Sequence, residues 1–319
     1  MASPTTPDVL CIGEAMALVA PTDGRSLAST QQVELTFAGA ESNVAHHLAD
    51  LGVPTAWVSA LGADALGDRI VEALAAAGVD VRWVDRRPGA PTGVFFKDPG
   101  PEGTRVLYYR AGSAASTLGP ADAGRWPLEG ARLMHLSGIT PALSRTCAYL
   151  TDTLLDRARE IGMTVSFDVN HRPPLWRDGA AAEQLHRLAQ RADLVFVGRD
   201  EAESLWGTAS AEDVAALLTG PSVLVVKDGD REAVEFDRRG GAPRVTRAPA
   251  RRVAVVEPVG AGDAFAGGYL AAFLRGDDAE DRLALGHSLA AWTLGTSADY
   301  RPGHGPAVRP HTDDEQDGA

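Results

Sequence analysis

A turn of small residues beside a carboxylate is the strongest chemical feature of the sequence. It lies in the stretch from Glu257 to Gly268, Glu-Pro-Val-Gly-Ala-Gly-Asp-Ala-Phe-Ala-Gly-Gly. A glycine-rich turn that opens a helix presents unpaired backbone N–H groups and the positive end of the helix dipole to an anion. Asp263 directly follows the turn formed by Gly260 to Gly262. It is therefore either a helix N-cap or a catalytic base beside a phosphoryl-transfer site.

A second polar motif, which contains Gly39 and Asn43, stands at the start of a predicted helix. One interpretation is structural, with Gly39 as a turn residue and Asn43 as a helix N-cap. The other is ligand binding. A bare glycine lets a hydroxylated ligand lie against the chain, while the asparagine amide offers a donor and an acceptor.

Tyr108, Tyr109 and Arg110 close a predicted β-hairpin. Because side chains alternate along a strand, Tyr108 and Arg110 share one face. Two tyrosines in a strand more often pack than bind a ligand. An arginine beside them in an acidic protein favours recognition, since a guanidinium grips a carboxylate or phosphate in bidentate fashion.

The sequence Asp168-Val169-Asn170-His171-Arg172 directly follows a predicted strand. Asp and Asn are common turn residues, so a plain turn is one interpretation. The alternative is a cluster of polar ligand contacts in which Arg172 supplies a second cation. We interpret His171 as a loop histidine.

Two further predicted strands have polar residues at or just after their ends, namely Glu201, Lys227 and Gly229. Glu201 either favours a helix dipole or holds water on a Mg²⁺ ion that bridges phosphates, since Mg²⁺ keeps several waters and takes few protein carboxylates. Lys227, with Gly229 close by, is either a solvated lysine or a nucleotide contact.

The elements that must position these residues alternate along the chain. Short apolar strands separated by amphipathic helices predict a mostly parallel sheet covered on both faces. Ligands of such sheets bind outside the carboxyl ends of the strands, where the polar motifs fall, so we expect one shared cleft. A helix is predicted over 44–51 and another helical region near 200–218, whereas the pattern over 15–37 is irregular. Strands are predicted at Val9–Ile12, Thr55–Ser59, Leu133–Leu136, Thr164–Asp168, Leu194–Val197, Val223–Lys227 and Ala233–Phe236.

Composition narrows the class of protein. The 319 residues suffice for one large α/β domain or two modest ones, and 45% hydrophobic with 23% charged residues is typical of a globular protein. A net charge of −13 argues against nucleic acid or acidic membranes as partners. Cys11 and Cys147 lack metal-binding spacing and are expected to be buried thiols. No signal peptide or 18-residue apolar run occurs, which favours a cytoplasmic protein.

Several common signatures are absent from the sequence. It contains no P-loop, HExxH, GxSxG or CxxC pattern. No G-x-G-x-x-G follows the first strand, so an NAD-dependent dehydrogenase is poorly supported.

Taken together, the motifs resemble the ribokinase-like (PfkB) family of carbohydrate kinases from about Val9 to Gly303. The stretch Glu257 to Gly268 is similar to the second signature of that family. The first signature resembles Ala38-Gly39-Ala40-Glu41-Ser42-Asn43-Val44-Ala45. Within the family, the likeness is strongest to the 2-keto-3-deoxygluconate kinase branch. It rests on Tyr108-Tyr109-Arg110, Leu136-Ser137-Gly138-Ile139-Thr140-Pro141, Asp168-Val169-Asn170-x-Arg172 and Leu175-Trp176.

The resemblance implies a ribokinase-like three-layer α/β/α fold with a mostly parallel sheet and a small β lid. It implies a single domain over residues 8–303, with inserted lid segments at about 15–37 and 91–110. Residues 1–7 and 304–319 are expected to be flexible tails.

The resemblance also implies roles for individual residues. Asp263 would deprotonate the sugar hydroxyl, and the backbone amides of Gly260, Ala261, Gly262 and Asp263 would form the anion hole. ATP and Mg²⁺ are the implied cofactors, with a monovalent cation such as K⁺ as a further expectation. ATP would lie along Lys227, Gly229, Gly260, Gly262 and His287, and Glu201 would contact the metal through water. The sugar would be held by Gly39, Asn43, Phe95, Tyr108, Arg110, Asp168, Asn170, Arg172 and Asp263.

Four positions depart from the family pattern. The Asn-x-x-Glu motif reads Gly198-Arg199-Asp200-Glu201, so only Glu201 carries over. Glu257 replaces an aspartate near a monovalent-cation site, His287 replaces an asparagine near the adenine, and Ala38 replaces a frequent glycine. The proposed base is unaffected.

Two arginines in the predicted sugar site indicate a sugar acid, because a neutral sugar has no carboxylate to bind them. We therefore expect ATP-dependent conversion of 2-dehydro-3-deoxy-D-gluconate to 2-dehydro-3-deoxy-6-phospho-D-gluconate. The alternatives are a kinase for a neutral sugar or nucleoside, such as fructose or ribose, and a catalytically silent sugar-binding regulator. The partners expected are small molecules and a second copy of the chain, as a dimer or higher assembly.

Overall fold

A computed structural model describes residues 6–176, 179–255 and 259–295 of the chain. Within these residues, nine strands form a large sheet in the order β13-β12-β11-β10-β9-β8-β1-β4-β5. Its strands are β1 (Val9–Ile12), β4 (Thr55–Gly62), β5 (Val84–Arg87), β8 (Leu133–Ser137), β9 (Thr164–Asp168), β10 (Leu194–Gly198), β11 (Val223–Asp228), β12 (Glu232–Asp237) and β13 (Arg244–Pro249). All neighbours pair in parallel except β11 with β12 and β12 with β13, which are antiparallel.

Helices cover both faces of the large sheet. They are α1 (Ala40–Asp50), α2 (Ala65–Ala76), α3 (Ile139–Leu143), α4 (Arg145–Ile161), α5 (Ala181–Ala189), α6 (Arg199–Trp206), α7 (Ala211–Leu217), α8 (Ala261–Arg275) and α9 (Ala279–Leu294). Alternate strand residues face opposite sides. Leu10 and Ile12 join a core with residues of α4 to α7. Val9 and Cys11 join a second core with residues of α1, α2, α8 and α9. The predicted three-layer α/β/α architecture is confirmed.

The small sheet has four strands in the described part of the chain, in the order β3-β2-β6-β7. Its strands are β2 (Met16–Pro21), β3 (Val33–Ala38), β6 (Val94–Gly100) and β7 (Gly103–Tyr109). They lie in the two regions where lid segments were predicted. The prediction of irregular structure over 15–37 is wrong at β2 and β3. Both have six residues: β2 is a nearly continuous apolar run, and β3 alternates apolar and polar residues from Val33 to Phe37, so both carry a strand pattern.

Two helix boundaries also differ from the sequence-based predictions. The helix predicted over 44–51 begins at Ala40, because the N–H of Asn43 already donates to the carbonyl of Gly39 at 2.8 Å. The region near 200–218 holds two helices, since Gly207 ends α6 in the left-handed conformation with φ 70°. Ser210 then caps α7. Strand β13 was not predicted.

The parallel strands bring the polar motifs to one edge of the large sheet. Glu14 follows β1, Asp168 ends β9, Gly198 ends β10 and Lys227 lies near the end of β11. Both cysteines are buried free thiols, as expected. Glu257 and most of the predicted tails lie outside the described residues. Among the helices described, none is long and apolar enough to cross a membrane.

Candidate functional site

The turn before α8 has the geometry of an anion site. Gly260 is the N-cap in the left-handed conformation, with φ 84° and no side-chain cap. The first helical bond runs from the N–H of Ala264 to the carbonyl of Gly260 at 2.9 Å. The amides of Ala261, Gly262 and Asp263 therefore have no intrahelical acceptor. Asp263 is the third residue of α8, so the alternative that it is merely the helix N-cap is wrong.

Asn43 holds the carboxylate of Asp263. The Asn43 amide Nδ2 donates to Asp263 Oδ2 at 2.9 Å, across 220 positions of sequence. Asn43 lies inside α1, whose N-cap is Gly39, so the N-cap interpretation of Asn43 is also wrong. The side-chain amide of Asn43 is not used for capping and orients the Asp263 carboxylate instead.

The Asp263 carboxyl has an environment suited to proton transfer near neutral pH. Burial raises its pKa to about 7, and the negative charge of Asp168 acts in the same direction. The hydrogen bond from Asn43 and the charges of Arg172 and Lys227 partly oppose this rise. A general base is most effective when its pKa lies near the working pH.

A buried ion pair lies next to the turn. Lys227 Nζ donates to Asp168 Oδ2 at 3.0 Å, with side chains that are 19% and 5% exposed. Burial lowers the pKa of Lys227, but the charges of Asp168 and Glu201 outweigh it and the pKa is raised. A Cβ placed on Gly262 would lie 3.5 Å from Nζ, so the ammonium faces the amide turn.

The loop after β9 contributes an unusual asparagine. Asn170 has φ 38°, and its N–H donates to Asp168 Oδ1 at 3.3 Å. Among the described residues, its buried Oδ1 has no hydrogen-bond donor. An unmatched buried acceptor favours the ligand-contact interpretation over the plain turn, because a sugar hydroxyl would satisfy it.

Glu201 accepts backbone hydrogen bonds with both oxygens. Oε2 accepts from the N–H of Gly198 at 2.9 Å and Oε1 from that of His171 at 3.0 Å. Arg172, about half exposed, has Nη1 at 3.8 Å from Oε1. Burial, followed by the charge of Asp168, raises the pKa of Glu201. Glu201 thus stabilises the start of α6, and its contact with a metal through water stays a prediction.

Phe95 and Tyr108 of the small sheet lie close to Arg110, which directly follows β7. The rings of Phe95 and Tyr108 stack at 5.7 Å, and the Arg110 guanidinium lies 5.8 Å from the Tyr108 ring. Tyr108 is exposed and Phe95 is buried. Arg110 Nε donates to Glu14 Oε2 at 2.8 Å.

Two predicted nucleotide contacts, Gly229 and His287, lie outside the turn before α8. Gly229 forms the turn between β11 and β12 with φ 53°. His287 of α9 packs edge-on against Phe265 at 5.1 Å, and its Nε2 lies 3.0 Å from the carbonyl of Ala248. Burial lowers the pKa of His287. Among the described residues, no group of three or more His, Cys, Asp or Glu side chains is arranged to hold a metal.

Sequence reasoning assigned no role to two buried glutamates at this edge, Glu14 and Glu41. Glu41 Oε1 accepts from Ser137 Oγ at 2.7 Å and from Thr140 Oγ1 at 3.3 Å. Its buried Oε2 has no hydrogen-bond partner among the described residues. Their positions could have indicated a role in the site, because Glu14 follows β1 and Glu41 lies in the stretch that resembles the first family signature.

Ionisation of Glu41 is expected to destabilise the fold. Burial raises its pKa to about 7, above the value in the unfolded chain. Stability from the neutral carboxyl is therefore present at low pH and is lost as pH rises towards 7, by roughly 3 kcal/mol. Glu41→Gln should remove this loss, so the unfolding free energy of the variant relative to the parent should increase from pH 5 to pH 8. Urea unfolding at both pH values measures the difference, and parallel pH dependences for the two proteins would contradict it.

Comparison with known proteins agrees with these features. A family model, pfkB family carbohydrate kinase, matches residues 6–302. The 2-dehydro-3-deoxygluconokinase of Bacillus subtilis (strain 168) is 37% identical, covering 92% of this chain and 91% of the relative. The 2-dehydro-3-deoxygalactonokinase of Haloferax volcanii is 35% identical, covering 90% of each.

A solved structure shows the same fold. The crystal structure of a PfkB protein from Polaromonas sp. JS666 has a TM-score of 0.81 and 35% identity, covering 90% of this chain and 95% of that chain. The fold predicted as ribokinase-like is thereby confirmed. The chain belongs to the pfkB family and is a carbohydrate kinase.

Proposed function

We propose that the chain transfers the γ-phosphoryl group of ATP to the terminal hydroxyl of 2-dehydro-3-deoxy-D-gluconate. The products are 2-dehydro-3-deoxy-6-phospho-D-gluconate and ADP. The observation that carries the proposal is Asp263, held by Asn43 at an amide turn with its pKa raised to about 7. Two arginines near this edge and the names of the two relatives support an acid as the substrate.

The chemical step follows from the geometry of the turn. Asp263 takes the proton of the sugar hydroxyl as that oxygen forms a bond to the γ-phosphorus. The bond from the γ-phosphorus to the β–γ bridging oxygen breaks, and ADP leaves. The amides of Gly260, Ala261, Gly262 and Asp263, with the Lys227 ammonium, stabilise the negative charge on the transferring group.

ATP and Mg²⁺ fit the residues at the turn. The amide turn and Lys227 suit phosphate oxygens, and Gly229 and His287 would lie along the nucleotide. Glu201, already bonded to two backbone amides, would contact Mg²⁺ only through water. When bound, Mg²⁺ neutralises phosphate charge. A requirement for K⁺ stays a prediction.

The sugar contacts are proposed on the facing sides of the cleft. Asn43, Asp168 and Asn170 would contact hydroxyl groups, with Gly39 giving space beside them. Phe95 and Tyr108 would pack against the sugar from the small sheet, and Arg110 and Arg172 would bind the carboxylate. The cytoplasmic location and the dimer or higher assembly also stay predictions.

A kinase for a neutral sugar is the competing candidate, and one observation favours it. Glu14 already pairs with Arg110, which lowers the net positive charge left for a substrate carboxylate. Arg172, about half exposed, is then needed to supply the remaining positive charge. A silent binding regulator is disfavoured because the chain keeps the proposed base and anion turn.

A substrate panel tests the proposal. ADP release in a coupled assay should be faster with 2-dehydro-3-deoxy-D-gluconate than with its galactonate epimer, gluconate, fructose or ribose. The Asp263→Asn protein, purified in parallel, controls for contaminating kinases. Faster turnover of fructose or ribose would reject the sugar-acid assignment, and a faster galactonate epimer would correct the sugar.

A further inference from the structure

The chain crosses between the large and small sheets four times in the described residues, and the crossings meet around Glu14. They lie at residues 13–15, 38–39, 91–93 and 110–113. Backbone bonds tie them together, including the N–H of Ala114 to the carbonyl of Pro91 at 2.8 Å. The junction of the two sheets is therefore built around one buried carboxylate.

Glu14 binds the last of these segments through both of its oxygens. Oε2 accepts from Nε and Nη2 of Arg110, and Oε1 accepts from Ser113 Oγ at 2.5 Å. The Glu14 side chain is 1% exposed and that of Arg110 is 10% exposed. In so little solvent, charge-assisted hydrogen bonds fix both side chains in one arrangement.

Two glycines let the chain approach Glu14 closely. A Cβ on Gly39 would lie 2.2 Å from the carbonyl oxygen of Glu14. A Cβ on Gly93 would lie 2.8 Å from Met16 Cγ and 3.0 Å from Glu14 Oε1. The crossings therefore lie so close together that a side chain at either glycine would clash.

This arrangement decides which edge of Arg110 is left for a ligand. A guanidinium has five N–H groups in a planar fork. Glu14 occupies the edge made by Nε and one N–H of Nη2. Within the part of the chain that the structure describes, no hydrogen bond from Nη1 is found. The edge made by Nη1 and the second N–H of Nη2 has the spacing for a bidentate carboxylate.

We propose that Glu14 is a positioning residue for the substrate carboxylate, which holds Arg110 so that its outer edge faces the sugar acid. The inference rests on the proposed function, since a neutral sugar has no carboxylate for that edge. Glu14 acts only through Arg110 and does not contact the substrate.

Glu14→Asp tests the proposal, because it keeps the charge and withdraws the acceptor by one methylene. A misplacement of about 1 Å in a binding group costs on the order of 10²-fold. We expect kcat/KM for the keto acid to fall roughly 10- to 100-fold, mainly through KM, while KM for ATP changes less than about twofold. In an Arg110→Ala background, the same change should have little further effect on KM for the keto acid.

Glu235→Asp is the matched control. Glu235 is equally buried and holds Arg282, but it lies on β12, five strands from β1 in the large sheet. The control should lower Tm and leave KM for the keto acid within about twofold. If Glu14→Asp does not fold, Ser113→Ala replaces it as the test. This change removes the hydrogen bond to Glu14 Oε1. It should raise KM for the keto acid several-fold without changing KM for ATP.

Three results would overturn the inference. In the first, Glu14→Asp lowers Tm like the control and leaves KM for the keto acid unchanged. In the second, its effect persists in full without Arg110. In the third, the wild-type enzyme turns over only neutral sugars. The last result also rejects the proposed function and is seen before any variant is made, so the two failures are distinguishable.

Discussion

Replacing Asp263 by asparagine is expected to lower kcat by roughly 10²- to 10⁴-fold, with a much smaller change in KM for the sugar. The variant keeps the size of the side chain but has no basic oxygen to take the hydroxyl proton. The amide turn from Gly260 to Gly262 does not depend on the carboxylate and should still bind phosphate. Steady-state kinetics with saturating ATP measure the loss.

The pH profile gives a second readout of the same residue. The ionised carboxylate is the active form, and burial raises its pKa to about 7. Activity of the parent should therefore rise as pH increases through about 7 and level off above it, whereas the variant should lack this rise. Asp156→Asn, the same change at an exposed aspartate, is the control and should keep kcat within about twofold. Near-parental turnover of Asp263→Asn would remove the base assignment.

Replacing Arg110 by alanine is expected to affect both binding and stability. Truncating one partner of a buried, charge-assisted contact costs about 2–5 kcal/mol, which corresponds to a rise in KM for the keto acid of roughly 30-fold or more. The same change leaves Glu14 buried without its cation, which should destabilise the fold by about 3–5 kcal/mol. Denaturant unfolding and sugar-dependent kinetics separate the two effects.

Arg172→Ala provides the contrast to Arg110→Ala. The Arg172 side chain is 48% exposed, and its Nη1 lies 3.8 Å from Glu201 Oε1. Its loss should raise KM for the keto acid while leaving the unfolding free energy almost unchanged. An unchanged KM in both variants would contradict binding of a substrate carboxylate by these arginines.

The sequence was sufficient to predict seven of the nine described strands of the large sheet and the shared edge where the motifs meet, whereas β5 and β13 were missed. Parallel strands have one carboxyl end, so Asp168 and Lys227 were expected near each other before any contact was known. Strands β2 and β3 were missed although Val33 to Phe37 alternates apolar and polar residues, because the turn residues from Pro21 to Gly24 favoured irregular structure for the whole region. Contacts between distant residues, such as Asn43 with Asp263, depend on helix packing that no local pattern encodes.

The two buried glutamates show a different limit of sequence reasoning. A glutamate in a sequence is read as a surface residue unless its partners are known. Glu14 depends on Arg110, 96 positions later, and Glu41 on Ser137, also 96 positions later. Their burial results from the packing of the two sheets and α1, which the sequence around each glutamate does not indicate.

The Asn43 to Asp263 hydrogen bond also has a consequence for folding and synthesis. Its two residues lie on α1 and α8, which pack on the same face of the large sheet. During translation, α1 emerges long before α8 exists, so the base stays unoriented until nearly the whole domain has been made. Contacts between residues so far apart close late and slow the folding of a chain. Regain of kinase activity after denaturation would therefore report completion of the native fold, whereas helix content would recover earlier.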